Sequence, residues 1–175
     1  MTYRDPKTGR WAKQDTKTLV FVYGTLKRPY GNNHILRSHS ASFMGEAVTV
    51  DPWLMYSSGI PFVVPVRSEE DEAASAPIKG ELWEVGTKCL QRLDQLEGYI
   101  EGWAHNMYDR VDVVVQLPSG DKVGAKMYVA GKRSMTYMRR DHKPYSHTED
   151  GALCWYPQNY KVMGRADERA EQSDT

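Results

Sequence analysis

Apolar positions in this chain come in short bursts separated by polar, turn-forming residues. Six bursts, at 19–23, 43–50, 61–66, 79–85, 110–117 and 123–130, are rich in β-branched and aromatic residues and are predicted as strands. The first, Leu-Val-Phe-Val-Tyr, is apolar at every position, the pattern of a strand buried on both faces. It stops at Gly24, after which Thr25 and Leu26 lead into polar sequence. Backbone amides in such a turn are free of a ladder. Aimed into a cavity, they suit an anion, a carboxylate or a developing oxyanion.

One segment carries the helical period instead. In TKCLQRLDQLEG, residues 87–98, Thr87 is the expected N-cap and Gly98 the residue just past the C-terminus. A second, shorter helix is expected near 33–37. The acidic run Glu69-Glu70-Asp71-Glu72 reads as a solvated loop, not a metal site. Strands outnumber helices, which predicts an α+β (mixed α/β) class: a small mixed parallel/antiparallel sheet, curled towards a barrel and flanked by helices.

The helix at 87–98 holds an acid in an unusual place. At about 100° per residue, Cys89, Leu90, Leu93 and Leu96 span an arc of roughly 120°. Glu97 falls inside that arc and Asp94 outside it, while Lys88, Gln91, Arg92 and Gln95 take the polar side. Burial disfavours a charged carboxylate, and so does the negative end of the helix dipole. Both effects predict a raised pKa for Glu97, which suits a proton acceptor near neutral pH. The plainer alternative is that Glu97 caps the last turn or pairs with an arginine such as Arg110.

Composition narrows the field without changing this picture. The chain has 175 residues, 40% hydrophobic and 26% charged, with a formal net charge of zero, which is enough for one ordinary domain and its core. Charge balance argues against a general nucleic-acid binder. No apolar run approaches the ~18–20 residues that span a bilayer, and the first 18 residues lack the apolar centre of a secretory signal. A cytoplasmic location is therefore expected. Cys89 and Cys154 have no close Cys or His partners in sequence, so neither a zinc motif nor a disulfide is expected. The five histidines form no HxxxH or HExxH pair, and neither a GxSxG elbow nor a GxxxxGK loop occurs.

Several of these segments resemble one family. YGTLK at 23–27 with Asn33-His34-Ile35-Leu36 is similar to the opening of the gamma-glutamylcyclotransferase-like family, with the gamma-glutamylamine cyclotransferases the nearest branch. The resemblance continues through IPFVVP at 60–65, KGELWEV at 79–85, LDQLEGY at 93–99 and MYDRVDVVV at 107–115, and includes Tyr128. YGTL alone is a weak motif; followed in order by a helix ending in LEGY and then by YxR before a strand, it is fairly specific.

The resemblance implies a gamma-glutamylcyclotransferase-like fold. It also implies release of 5-oxoproline from a gamma-glutamyl amine or amide, with no metal and no organic cofactor. It places the catalytic glutamate at Glu97 and the substrate-holding turn at Tyr23, Gly24, Thr25 and Leu26, with Tyr128 a candidate on the opposite wall. The turn amides are expected to hold the substrate α-carboxylate, the oxyanion or both. Tyr23 and Tyr128 also fit plain structural roles as strand tyrosines, and Arg110 reads more readily as a structural partner of a nearby loop or acid. Glu101 is close in sequence to Glu97 but lacks the helical context.

The chain departs from the family pattern in three places: residues 1–18, the acidic segment at 69–76, and a lengthened loop at 100–105. The expected organisation is a polar N-terminal arm or hairpin at 1–18, one domain at 19–163 and a C-terminal tail at 164–175. The partner expected is a small gamma-glutamyl molecule, with neither nucleic acid nor membrane; oligomeric state is left open. The rival class is a non-catalytic metabolite- or partner-binding protein on the same scaffold.

Overall fold

A computed structural model describes residues 2–13 and 15–157, so the tail at 164–175 lies outside the described residues. In chain order the elements are β1 (Thr2–Arg4), β2 (Trp11–Lys13), β3 (Thr18–Val22), α1 (Asn33–Ser38), β4 (Ser42–Thr49), β5 (Leu54–Ser58) and β6 (Ile60–Val64). They continue with α2 (Glu69–Ala74), β7 (Lys79–Val85), α3 (Thr87–Glu97), β8 (Tyr108–Gln116), β9 (Lys122–Ala130), α4 (Lys132–Asp141), β10 (Thr148–Glu149) and β11 (Ala152–Leu153).

Five strands close a barrel in the order β3-β7-β4-β8-β9. Neighbours run antiparallel except at the closing seam, where β9 lies parallel to β3 with Val20 opposite Lys126. β5 and β6 form a separate antiparallel hairpin through Gly59, and β1 and β2 form another near the N-terminus. The mixed barrel with flanking helices is the architecture expected from the strand pattern.

The continuous apolar character of β3 has the expected cause. Val20 and Val22 enter a core cluster shared with Ile35 and Leu36 of α1, Cys89 and Leu93 of α3, and Met135 and Met138 of α4. Phe21 and Tyr23 point the other way, into a second cluster with Leu82, Val113, Val115, Met127 and Trp155. Alternate residues from Leu19 to Tyr23 thus feed two cores, which is why the apolar run is unbroken over these five positions. Trp155 is 1% exposed, and its indole donates to Ser57 Oγ at 3.0 Å. Cys89 and Cys154 are both buried free thiols.

Two expectations need correction. Thr87 is not the N-cap of α3; Gly86 is, and it makes no side-chain cap bond. The Thr87 amide donates instead to Asp15 Oδ1 at 2.8 Å, a cap supplied from 72 residues away. A Cβ on Gly86 would lie 2.7 Å from Asp15 Oδ2, so a glycine is what lets the N-terminal segment approach. At the other end Gly98 adopts a left-handed conformation, φ 64°, and closes the helix as expected.

The second correction is the acidic run, which is helical. Ser68 caps α2 by accepting the Asp71 amide, and four carboxylates in the first turn meet the positive end of the helix dipole. Asp71 then pairs with Arg139 of α4 at 3.0 Å, which ties this surface helix down.

Candidate active site

β3 ends at the turn expected to be functional. The turn holds its shape through its own carbonyls: Gly24 accepts from the Lys27 amide at 3.1 Å, and Thr25 from the Asn32 amide at 3.1 Å. Asn32 Nδ2 also donates to Thr25 Oγ1 at 2.8 Å, and buried Asn33 donates to the Leu26 carbonyl at 2.8 Å. Among the described residues, the amides of Gly24, Thr25 and Leu26 donate to no protein group. A Cβ on Gly24 would sit 2.7 Å from Pro61 Cγ, so the turn is pressed against the start of the β5–β6 hairpin. The base of the turn is anchored by Lys27, whose Nζ donates to the Trp155 carbonyl at 2.9 Å.

Opposite lies the C-terminus of α3. Glu97 is half-buried, and it shares one cavity with Tyr23, Gly24, Thr25, Leu26 and Tyr128. All six residues singled out by the sequence are brought together. Among the described residues no group hydrogen-bonds the Glu97 carboxylate. Burial without a compensating partner pushes its pKa up to about 7. Burial accounts for the rise expected from the helix wheel; the dipole need not be invoked. Glu101 is exposed in the following turn and does not line the cavity.

Three tyrosines wall the cavity, and each hydroxyl proton is committed elsewhere. Tyr23 donates to the Tyr128 carbonyl at 2.6 Å, Tyr108 to the Pro61 carbonyl at 2.8 Å, and Tyr128 to Asp94 Oδ1 at 2.7 Å. Burial raises the pKa of all three, with the negative charge of Glu97 a lesser contributor. All three therefore stay protonated at neutral pH. Each phenolic oxygen also keeps acceptor capacity after donating.

Asp94 is the organising partner. Besides Tyr128 it holds Arg110 Nη1 at 2.7 and 2.8 Å, and the guanidinium lies 5.0 Å from the Tyr99 ring centroid. Arg110 is thus structural, as the plainer reading had it, but its partner is Asp94 and not Glu97.

The sequence reading overlooked Tyr108, Asn32, Ile60, Pro61 and Met107 as cavity residues. Tyr108 had a signal, since it is the first residue of the YxR triplet. Its place in the wall depends on stacking against Phe62, centroids 4.6 Å apart, which joins β8 to the β5–β6 hairpin. Among the described residues no cluster of His, Cys, Asp and Glu could hold a metal ion. No helix there is long and apolar enough to cross a membrane.

The family model described as gamma-glutamyl cyclotransferase, AIG2-like, matches residues 20–151. The MJ1514 protein of Methanocaldococcus jannaschii is 37% identical over 109 residues, covering 62% of this chain and 81% of that protein. Human gamma-glutamylaminecyclotransferase is 32% identical over 114 residues, covering 62% of this chain and 68% of that protein. The crystal structure of a mouse AIG2-like protein superposes with a TM-score of 0.57 at 24% identity, covering 81% of this chain and 97% of that one, which shows a shared fold. The matched region takes in the turn after β3, the α3 glutamate and all three wall tyrosines. The chain therefore belongs to the gamma-glutamyl cyclotransferase, AIG2-like family of cyclising enzymes.

Proposed function

We propose that this protein converts a gamma-glutamyl amine or amide into 5-oxoproline and the free amine, with Glu97 as general acid and base. The observation that carries this reading is an unpaired carboxylate, titrating near neutrality, in one cavity with a turn whose amides have no protein acceptor. The only ionisable groups among the lining residues are Glu97 and three tyrosines. With no lysine or arginine in the wall, neutral donors serve the substrate α-carboxylate and the oxyanion. The Gly24–Leu26 amides supply them.

The reaction is intramolecular. The α-nitrogen attacks the γ-carbonyl carbon, a carbon–nitrogen bond forms, and the γ-amide carbon–nitrogen bond breaks. An α-ammonium carries three protons and the lactam nitrogen keeps one. The two released are the two that the departing amide nitrogen needs to leave as an ammonium. Glu97 relays protons from one nitrogen to the other, a task matched by a pKa close to the working pH. The tyrosine oxygens, already donating elsewhere, face the α-ammonium as acceptors. Holding the substrate folded supplies much of the remaining advantage.

The test is release of 5-oxoproline from a panel of gamma-glutamyl amines, gamma-glutamyl amino acids and glutathione. Product from at least one member, abolished by Glu97→Gln with the fold intact, supports the assignment. Full turnover by that variant would refute Glu97 as the proton carrier.

A further inference from the structure

One loop joins two parts of the cavity wall. The chain leaves the wall after Leu96 and Glu97, at the end of α3, and returns to it at Met107 and Tyr108, where β8 begins. The two ends of the loop meet, since a Cβ on Gly98 would lie 3.6 Å from Met107 Cβ. The seating of Met107 therefore bears directly on the helix end that carries Glu97.

Packing contributes little to the path of this loop, because every residue from Ile100 to His105 is exposed. Asn106 breaks the pattern at 2% exposed. Its side-chain oxygen accepts the Ile100 amide at 3.0 Å, and its nitrogen donates back to the Ile100 carbonyl at 2.9 Å. The same nitrogen donates to the Trp103 carbonyl at 3.2 Å and to Asp109 Oδ1 at 3.1 Å. One amide thus ties the start of the loop, its middle and the strand that follows. The task suits asparagine, which offers an acceptor and two donor protons on a short stem. Asn106 is itself seated on the scaffold. A Cβ on Gly131 would fall 2.0 Å from its backbone oxygen, so the junction of β9 and α4 presses against it. The neighbouring Met107 carbonyl accepts from the Gly131 amide at 3.0 Å and from Ser134 Oγ at 2.9 Å.

We propose that Asn106 is a positioning residue for Glu97: by tying residues 100–106 together it seats Met107 against the end of α3 and keeps the carboxylate sheltered and aimed at the substrate. This inference rests on the cyclising reaction proposed above, in which that carboxylate carries the protons. Loosening the tie lets water reach the carboxylate and lets it drift. A misplacement of about 1 Å is enough to slow a reaction by orders of magnitude. The titratable groups facing Glu97 from the other elements are the hydroxyls of Tyr23, Tyr108 and Tyr128, which stay neutral through the working range. On its own helix, Asp94 is engaged by Arg110 and Tyr128. A change in the titration of Glu97 therefore reports its own hydration.

Asn106→Ala and Asn106→Ser test this without adding charge. The Glu97 titration is followed directly by carbon-13 NMR of its carboxyl group, which needs no substrate, and kcat and KM are measured by 5-oxoproline release. In both variants the Glu97 midpoint should move down by about one unit or more, towards that of a hydrated carboxylate. With the substrate-holding turn untouched, kcat should fall by about tenfold or more and KM should change far less. A Glu97 midpoint equal to the parent's overturns the proposal, even where the variants lose thermal stability, because Asn106 would then be structural only. Were neither variant to fold, hydrogen exchange in the parent decides: a protected Ile100 amide supports the tie and an unprotected one overturns it. An inactive parent across the whole substrate panel overturns the cyclisation instead, and the NMR titration still judges whether Asn106 shelters Glu97.

Discussion

The Tyr128 hydroxyl donates to Asp94 Oδ1 across 2.7 Å, joining the last strand of the barrel to the helical turn that carries Glu97. Asp94 also neutralises Arg110, with both side chains about four-fifths buried. Removing the carboxylate strands a partly buried guanidinium and a buried hydroxyl together. Asp94→Ala should therefore destabilise the protein by on the order of 3 kcal/mol, against about 1 kcal/mol for Tyr128→Phe. In chemical denaturation the double variant should lose less than the sum of the two. Strict additivity would mean that the pair is not coupled.

Glu97 should leave a signature in stability as well as in turnover. Its folded pKa of about 7 lies above the ordinary 4.5, so between those values the folded chain holds more protons than the unfolded one. Stability must then fall as pH rises through this window, by on the order of 2–3 kcal/mol in all. Glu97→Gln lacks this penalty. It should unfold at about the same denaturant concentration as the parent at pH 4, and at a distinctly higher one at pH 8. Equal midpoints at pH 8 would contradict a half-buried, unpaired carboxylate with a raised pKa.

For the parent enzyme, kcat/KM should rise with pH through an ionisation near 7, as the carboxylate that accepts the proton forms. A profile flat from pH 5.5 to 8 would remove Glu97 from the proton transfer.

Asp15 should matter at a distance. It caps α3 through the Thr87 amide, and α3 ends at Glu97. Asp15→Ala should cost about 1 kcal/mol, the usual worth of an N-cap, and Asp15→Asn should recover most of it. Thermal unfolding of the three proteins decides; an unchanged Tm for the alanine variant would make the contact dispensable.

Gly24→Ala tests the turn. Its new Cβ would meet the Pro61 ring at 2.7 Å, and a proline ring has little freedom to withdraw. The turn must shift, carrying its amides with it, so activity should fall at least tenfold while the protein still folds. Near-normal kcat/KM would show that the position of these amides is not critical.

Much of the scaffold could be read from the chain alone because its main elements state their period plainly. Strand β7 matches its expected bounds, and α3 shows an apolar arc that also exposed Glu97 as misplaced. The helix α4 was missed for the opposite reason. Its sequence KRSMTYMRRD buries only Met135 and Met138, too thin a stripe to show through four basic residues. Strand β5 ends in two serines, and its pairing with β6 emerges only in three dimensions. The acidic α2 has no buried residue at all; a cap and the pair with Arg139 hold it. The site followed the same rule. Local motifs pointed to the turn and to Glu97, whereas Tyr108, Ile60 and Met107 enter through packing between distant segments.

The parallel seam between β3 and β9 has a consequence for how this protein comes into being. Tyr23 and Tyr128 are joined across it by a hydrogen bond spanning 105 residues of sequence, and both belong to the cavity wall. A chain emerging from the ribosome can lay down β3, the hairpins and α3 well before β9 exists, yet the pocket has no far wall until that strand docks. Pairings of such long reach pay their loop entropy before any contact rewards them, so they form late. Turnover should therefore track the final closure of the barrel, making enzymatic activity itself a reporter of complete folding.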